Sequence, residues 1–453
     1  MEQTTQRPWE VLRELVEQDQ AEKLEAFLET LDTNETVRAI FRLSPDEQRK
    51  LLLTISPQSA AELMEDVPDS HVAELLDELE PEEAASIVTE MDSDDQADLL
   101  AELDSEDVER ILFHMDSEDA ADARKLITYP ADTAGGLMMT EFISYPDDMT
   151  VKAVIQDLST RPDDYALYNV QYLYVLGKTG KLRGVLRLRD LVFGNPDLPV
   201  KKVMAPPEAV PVSASMEDLG EFFDDHEMSA VPAVDERNKM VGVVRRRAVY
   251  DALAEKAEED NLKARGIVGG EELRSMPVLT RSGRRLSWLS VNVLLNILAA
   301  SVIAVFQDTL SAVIALAVFL PIVSDMSGCS GNQAVAVSMR ELTLGVVKPA
   351  DAMRVLWREI PVGMLNGIAL GVLVALAGWI WQGNPWLGVV VGSALALNTV
   401  VAVAIGGTVP LILKSFKVDP AIASGPVLTT ITDMCGFFLV LGIATLMLPR
   451  LIA

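Results

Sequence analysis

Pro321-Ile-Val-Ser-Asp325-Met-Ser-Gly328-Cys-Ser-Gly331-Asn332-Gln333 lies inside an otherwise apolar segment and carries a carboxylate with no Lys or Arg beside it. A second stretch of this kind, Gly425-Pro426-Val-Leu-Thr-Thr-Ile-Thr432-Asp433-Met434, follows nearer the C-terminus. A charged side chain at membrane depth costs at least about 2.5–3.5 kcal/mol, so one kept there marks a functional site by default. The two stretches are read together as lining a path for a cation.

Working outward, the last third of the chain, Leu286 to Leu451, reads as five membrane-spanning helices. Leu286–Phe306 is 21 residues without a charge, enough to cross a hydrocarbon core of about 30 Å. Further spans are expected at about 311–339, 355–382, 386–413 and 424–448. Arg281, Arg284 and Arg285 precede the first span. Arg340, Lys348, Arg354 and Arg358 flank the second-to-third loop, and Lys414 and Lys417 the fourth-to-fifth. The positive-inside rule then predicts a multi-pass protein of the cell (inner) membrane, with a cytoplasmic N-terminus and an outward C-terminus, Arg450 being the exception.

Within span two, Pro321 and the glycines free backbone carbonyls and allow close approach of a neighbouring helix. Such features persist in a bilayer where they are buried in protein or line a wet cavity. A small-residue packing interface accounts for the glycines equally well, but not for Asp325. Asp433 has Thr429, Thr430 and Thr432 around it and no base. Left unpaired it would hold its proton; a cation or a water-filled path would keep it ionised. One carboxylate is too little for a dehydrated divalent ion. Two, the second from a twofold-related subunit, suit a hydrated Mg²⁺, which gives up its waters reluctantly. Asn332, Gln333, Asn398 and Thr432 join Asp433 and Asp325 as expected pore residues, with Asn332 and Asn398 positioned to hydrogen-bond the water shell.

The formal net charge of the 453-residue chain is -30, and it is unevenly spread. From Arg281 onward Lys+Arg number 10 and Asp+Glu 7; residues 1–280 hold 28 and 61, a balance of -33. This predicts an acidic soluble module joined to a membrane module. The acidic part repels nucleic acid and attracts divalent cations, although solubility alone also explains such a surface. The segment Met1–Trp9 has no apolar run, so no cleaved signal peptide is expected. Cys329 and Cys435, the 2 cysteines, are too few for a disulfide scaffold or a thiol-held soft metal.

Up to about residue 130 the chain repeats itself. Ser44-Pro45, Ser56-Pro57, Val67-Pro68, Glu80-Pro81, Asp92-Ser93, Asp104-Ser105 and Asp116-Ser117 recur near every twelve residues. Each opens a short helix with one apolar stripe, such as Val72, Leu75, Leu76 and Leu79. A helix this short cannot bury its stripe alone, so stacking into a small superhelix is expected. Acids in first turns suit the helix dipole. Asp92, Asp94, Asp95 and Asp98 are denser than that requires; Asp94 and Asp98 share a helix face, where like charges repel. Either a metal or basic partner sits there, or the face is simply solvated.

From 131 to 255 two copies of a strand–turn–strand–helix unit follow each other. Gln171–Leu176 with Leu182–Leu188 forms the first, Ser229–Val234 with Met240–Val244 the second, and Gly184 and Gly242 occupy equivalent positions. Amphipathic helices at Thr150–Leu158 and Ser215–Asp224 precede them. The pattern resembles a tandem cystathionine-β-synthase (CBS) pair. In such pairs a Gly-x-x-Ser/Thr-x-x-Asp stretch holds nucleotide. Gly184-Val-Leu-Arg187-Leu-Arg-Asp190 lacks the hydroxyl, and Gly242-Val-Val-Arg245-Arg-Arg-Ala248 lacks hydroxyl and acid, which argues against ATP binding. Arg245–Arg247 are read either as partners of the acidic repeats or as a solvated basic turn.

Val249 to Asp260 reads as one helix leaving the second copy. Asp251, Glu255, Glu258 and Glu259 share one face of it, an acidic ridge or an ordinary surface.

Acidic repeats, a CBS pair, an acidic connector and five spans with Gly331-Asn332-Gln333 and Thr432-Asp433-Met434 together resemble the MgtE family of magnesium channels. Ala134-Gly-Gly-Leu-Met138 fits the same pattern. The resemblance implies a homodimer in the lipid bilayer with its pore on the twofold axis, Mg²⁺ being both substrate and regulator. It matches Asp433 to the pore acid and brings Asp94, Asp98, Asp225, Asp251, Glu259 and Asp260 near the sensing acids, to which the ridge adds Glu255 and Glu258. Ser327-Gly328-Cys329 and Gly425 depart from the usual family residues. The expected architecture is a multidomain membrane protein: an α-helical superhelical N-domain (1–130), a tandem α+β CBS pair (131–255), a connecting helix and linker (256–280), and a five-helix α transmembrane domain (281–453). The expected function is passive Mg²⁺ uptake gated by cytosolic Mg²⁺. The alternatives are a membrane-bound divalent-cation sensor that carries no ion, and a transporter that also passes Co²⁺, Ni²⁺ or Mn²⁺. His71, His114 and His226 are scattered and form no nucleophile–base grouping, so no enzyme is expected.

Overall fold

A computed structural model describes residues 7–65, 67–161, 165, 171–269, 272, 274 and 276–452. Residues 1–6, within the segment read for a signal peptide, and parts of the 256–280 linker lie outside the described residues. The chain divides into two compact units, Met1–Leu253 and Ala254–Ala453, each with its own hydrophobic clusters.

The first unit opens with α1 (Pro8–Glu17), α2 (Ala21–Leu28) and α3 (Thr33–Ile40), then α4 (Pro45–Thr54), α5 (Pro57–Glu65), α6 (Asp69–Asp77), α7 (Pro81–Val88), α8 (Ser93–Glu102), α9 (Ser105–His114) and α10 (Ser117–Leu126). From α4 onward each helix starts twelve residues after the last. Local chemistry sets those starts. Ser44 accepts from the Glu47 amide while the Glu47 carboxylate accepts from the Ser44 amide at 2.7 Å, and Pro45 and Pro81 occupy first-turn positions where no amide hydrogen is needed. The helices stack chiefly on their next-but-one neighbours: α4 on α6, α5 on α7, α6 on α8, α7 on α9 and α8 on α10. Val72, Leu75, Leu76 and Leu79, the stripe read from one repeat, are buried in a single shared core.

Next come β1 (Met138–Met139), β2 (Ser144–Pro146), α11 (Val151–Thr160), β3 (Tyr172–Leu176), β4 (Leu182–Arg187) and α12 (Leu188–Phe193). The second copy supplies β5 (Val210–Pro211), α13 (Met216–Asp225), β6 (Ala230–Val234) and β7 (Met240–Arg245). Thr150 and Ser215 cap α11 and α13 by accepting from the amides three residues on. Gly184 pairs with Val175 and Gly242 with Ala233, so the two glycines are equivalent as read. The copies exchange their leading strands. β1, which precedes the first copy, pairs with β7 of the second, Met138 opposite Val244; Ala205, which precedes the second, bridges Val185 of the first. The glycines permit this crossing: a Cβ on Gly242 would lie 2.8 Å from Met138 Sδ, and one on Gly184 2.5 Å from Met204 Sδ.

One helix, α14 (Arg246–Ala264), leaves β7 as expected. In the second unit follow α15 (Val278–Val305), α16 (Gln307–Ala312), α17 (Leu316–Thr343), α18 (Ala352–Gln382), α19 (Pro385–Ser415), α20 (Pro420–Leu446) and α21 (Leu448–Ile452). Among the described residues four helical segments are long and apolar enough to cross a membrane: Val278–Val305, Pro349–Gln382, Pro385–Ser415 and Pro420–Leu446. α17 equals α15 in length at 28 residues but holds no uninterrupted stretch apolar enough to join that set, because Ser324, Asp325, Ser327, Asn332 and Gln333 lie along it. Neither polar stretch interrupts its helix. α17 runs through Pro321 and α20 through Pro426 without a break in the helix, since an internal proline removes one hydrogen bond without ending the ladder around it.

α17 packs on both α19 and α20, and α18 on α19. Small residues set these crossings. A Cβ on Gly331 would come 2.9 Å from the Ala402 carbonyl oxygen and from Leu428, so this glycine serves close helix approach. Gly328 has only Thr432 Oγ1 nearby, at 3.9 Å. Arg450, the exception to the charge rule, lies over the Trp386 ring at 4.3 Å from its centroid, a setting that favours a cation.

Candidate functional site

Three helices converge on Asp433. Its side chain is 9% exposed, and Ser324 of α17 donates its hydroxyl to Asp433 Oδ1. Asn398 of α19 is fully buried. Its Nδ2 donates to Ser327 Oγ at 2.6 Å and to the Thr432 carbonyl at 3.0 Å, while its Oδ1 is buried without a partner. Thr432 Oγ1 turns back to the Thr429 carbonyl at 3.0 Å. Asn398 therefore braces three helices with the amide expected to serve the water shell. Lys263 pairs with Glu259 and Asp419, and Arg285 with Glu272, and none of these pairs reaches Asp433.

Of the six expected pore residues, the structure brings together Asp433, Asn398 and Thr432. Asp325, Asn332 and Gln333 are exposed on α17; Asp325, Cys329 and Asn332 follow each other at helical spacing on one face. Ser324 and Ser327 are the residues that sequence reading passed over. Their signal was position: both flank Asp325 on the helix that faces Asp433. Asn332 also lines a cavity of about 320 Å³ with Asp260 and Asn261 of α14, Arg340 of α17 and Ser424 and Gly425 of α20. Burial and the neighbouring Asp419 raise the pKa of Asp260 there.

In the first unit the oxygens of Asp92, Asp94 and Asp95 lie within 4.8 Å of one another. Arg245, the last residue of β7, fills their midst. Its guanidinium donates to Asp92 Oδ2 at 2.7 Å and to both oxygens of Asp94 at 2.8 and 3.1 Å. Burial raises Asp94 even against Arg245, and burial with Asp94 and Glu65 nearby pushes Asp95 up to about 8. Burial also raises Glu141, which accepts from Ser93 Oγ at 2.8 Å. Of the two readings of the arginines, pairing holds for Arg245. Arg246 instead donates to the carbonyls of Phe223, His226 and Met228, and Arg247 to Asp251 at 3.2 Å.

The remaining expected sensing acids are dispersed. Asp98 is half-buried on α8, and Asp225 is exposed at the end of α13. On α14 Asp251, Glu255 and Glu258 are exposed, and Glu259 pairs with Lys263 at 2.6 Å. Asp94, the other expected sensing acid on α8, has both its oxygens engaged by Arg245.

Sequence comparison bears on what this arrangement belongs to. Residues 320–443 match the profile described as MgtE, divalent cation transporter; 31–132 match the MgtE intracellular N domain; 134–194 and 200–255 match the CBS domain. A protein of Bacillus subtilis (strain 168), named Magnesium transporter MgtE, is 34% identical over 323 residues, 71% of this chain and 70% of that protein. The chain belongs to the MgtE family. The MgtE protein of Thermus thermophilus, also named a magnesium transporter, is 34% identical over 337 residues, 72% of this chain and 73% of its own. A crystal structure described as the soluble part of a magnesium transporter aligns at a TM-score of 0.50 and 26% identity, covering 55% of this chain and 98% of its own. The MgtE match takes in every residue of the Asp433 cluster. With its apolar helices, membership makes the chain a multi-pass membrane protein, in a family whose named relatives are transporters rather than enzymes.

Proposed function

We propose that this chain carries Mg²⁺ across the membrane along a path that passes Asp433. The observation that carries the reading is a carboxylate held among α17, α19 and α20 with a serine hydroxyl as donor and no basic partner among the described residues. Such a group is costly in lipid unless a cation or water accompanies it. The names of the relatives supply the ion. α17 then counts as a fifth crossing, its exposed Asp325–Asn332–Gln333 face turned to the path of a homodimer whose pore lies on the twofold axis. Transport is passive, driven by about 4.6 kcal/mol per divalent ion per 100 mV. The N-terminus is cytoplasmic and the C-terminus outward.

Regulation belongs to the same reading. The next-but-one stacking of α4–α10 supports a superhelical N-domain (1–130), followed by the CBS pair (131–255), the connector (256–280) and the pore domain (281–453). Cytosolic Mg²⁺ neutralises Asp98, Asp225, Asp251, Glu255, Glu258, Glu259 and Asp260 and closes the path; on depletion these acids repel. Asp260 at the cavity beside Asn332 is the acid through which the connector reaches the path.

The test is Mg²⁺ uptake into a transport-deficient cell. Wild type restores uptake and Asp433→Ala does not; undiminished uptake by the variant overturns the reading. The description of the matching family by divalent cations favours a broader cargo, so Co²⁺, Ni²⁺ and Mn²⁺ belong in the same assay.

A further inference from the structure

The Asp92–Asp94–Asp95 cluster has the oxygen spacing for a divalent ion, yet its residues do not fit one as they stand. Arg245 engages both oxygens of Asp94 and one of Asp92, and Asp94 is 5% exposed. An ion would first have to displace a two-pronged guanidinium, the donor geometry best matched to carboxylates. Arg245 is itself held, as its backbone pairs with Ala230 across β6 and β7.

Two further ties hold α8 at the same junction, one to the stretch that follows β1 and one to the apolar core of the sheet that β1 shares with the second CBS copy. Ser93 Oγ donates to Glu141 and accepts from the Thr140 amide, each at 2.8 Å. Ala97 of α8 and Leu126 of α10 are buried in one apolar cluster with Met138, Phe223, Val231 and Val244. Apolar burial needs no ion.

We infer that Arg245 is a built-in counter-cation, which keeps the end of the acidic repeats docked on the second CBS copy whatever the divalent concentration. The ion-dependent movement is thereby confined to acids outside this junction. The inference goes beyond the transport reading and holds whether or not the membrane helices carry Mg²⁺. Without Arg245, the buried Asp94 is left uncompensated beside Asp92 and Asp95, and only an added cation can keep the junction closed.

The experiment is amide hydrogen exchange of Ser93–Glu102 in the full chain in detergent, with chelator and with excess Mg²⁺. In wild type the two conditions give rates within about twofold of each other, and in Arg245→Ala the chelated sample exchanges about tenfold faster or more, with Mg²⁺ restoring protection. Arg245→Lys, which keeps the charge on the same strand, retains the wild-type indifference and serves if the alanine variant does not fold. Wild-type exchange that accelerates about tenfold on chelation overturns the inference. So does an Arg245→Ala protein whose α8 is as protected in chelator as in Mg²⁺.

Discussion

The side-chain nitrogen of Asn398 stands 2.6 Å from Ser327 Oγ and ties α19 to α17. The same nitrogen reaches the carbonyl of Thr432, one residue before Asp433. Asn398→Leu keeps the volume and removes both bonds. Leaving buried partners unsatisfied costs about 1–3 kcal/mol, so the variant is expected to unfold earlier in mixed micelles and to carry less Mg²⁺. Unchanged unfolding with unchanged flux would show that the brace does not matter.

Asp433 and Ser324 separate charge from hydrogen bonding. Asp433→Asn preserves size and still accepts from Ser324 but carries no charge; flux into liposomes is expected to fall by about tenfold or more, with folding intact. Ser324→Ala keeps the charge and lowers flux less. If the two variants lose the same amount, the hydroxyl rather than the charge sets the path.

Gly331 and Gly442 make a paired control. A Cβ at Gly331 would press on Ala402 and Leu428, whereas Gly442 has nothing within 4 Å. Gly331→Val is expected to destabilise by about 1–3 kcal/mol, as overpacking does, and Gly442→Ala to be near neutral. Denaturant midpoints of the two proteins in the same detergent decide it.

Asp95 gives the first unit a pH dependence of defined sign. Folded, it holds its proton up to about 8; unfolded, it loses it near about 3.9. Between these values the folded chain binds the extra proton, so the contribution is fully present below the unfolded value and is lost as pH rises through 8. Asp95→Asn should flatten the decline in thermal stability of this unit between pH 5 and 8 and raise its stability at the upper end. A decline of equal slope in the variant would assign it to other groups.

Periodicity and punctuation made much of the fold legible. The twelve-residue spacing of Ser-Pro, Glu-Pro and Asp-Ser pairs marked the helix starts from Pro45 to Ser117, because caps and first-turn prolines are local signals. Thr150 and Ser215 did the same for the helices of the CBS pair. The partner of α8 was legible only as one of two readings. Arg245 lies far from Asp94 in sequence, and nothing local distinguishes a paired arginine from a solvated one. The roles of Ser324 and Ser327 were hidden for a related reason: which face of α17 meets α19 and α20 follows from glycines on two helices at once.

The traded leading strands of the CBS pair bear on how that region can come apart. Because Met138–Met139 completes the sheet of the other copy, and Ala205 reaches back to Val185, a chain severed near Asn195 leaves each fragment lacking a β-edge that only its counterpart possesses. The pair is therefore expected to melt as a single cooperative block, and duplication without the crossover would have yielded two incomplete sheets.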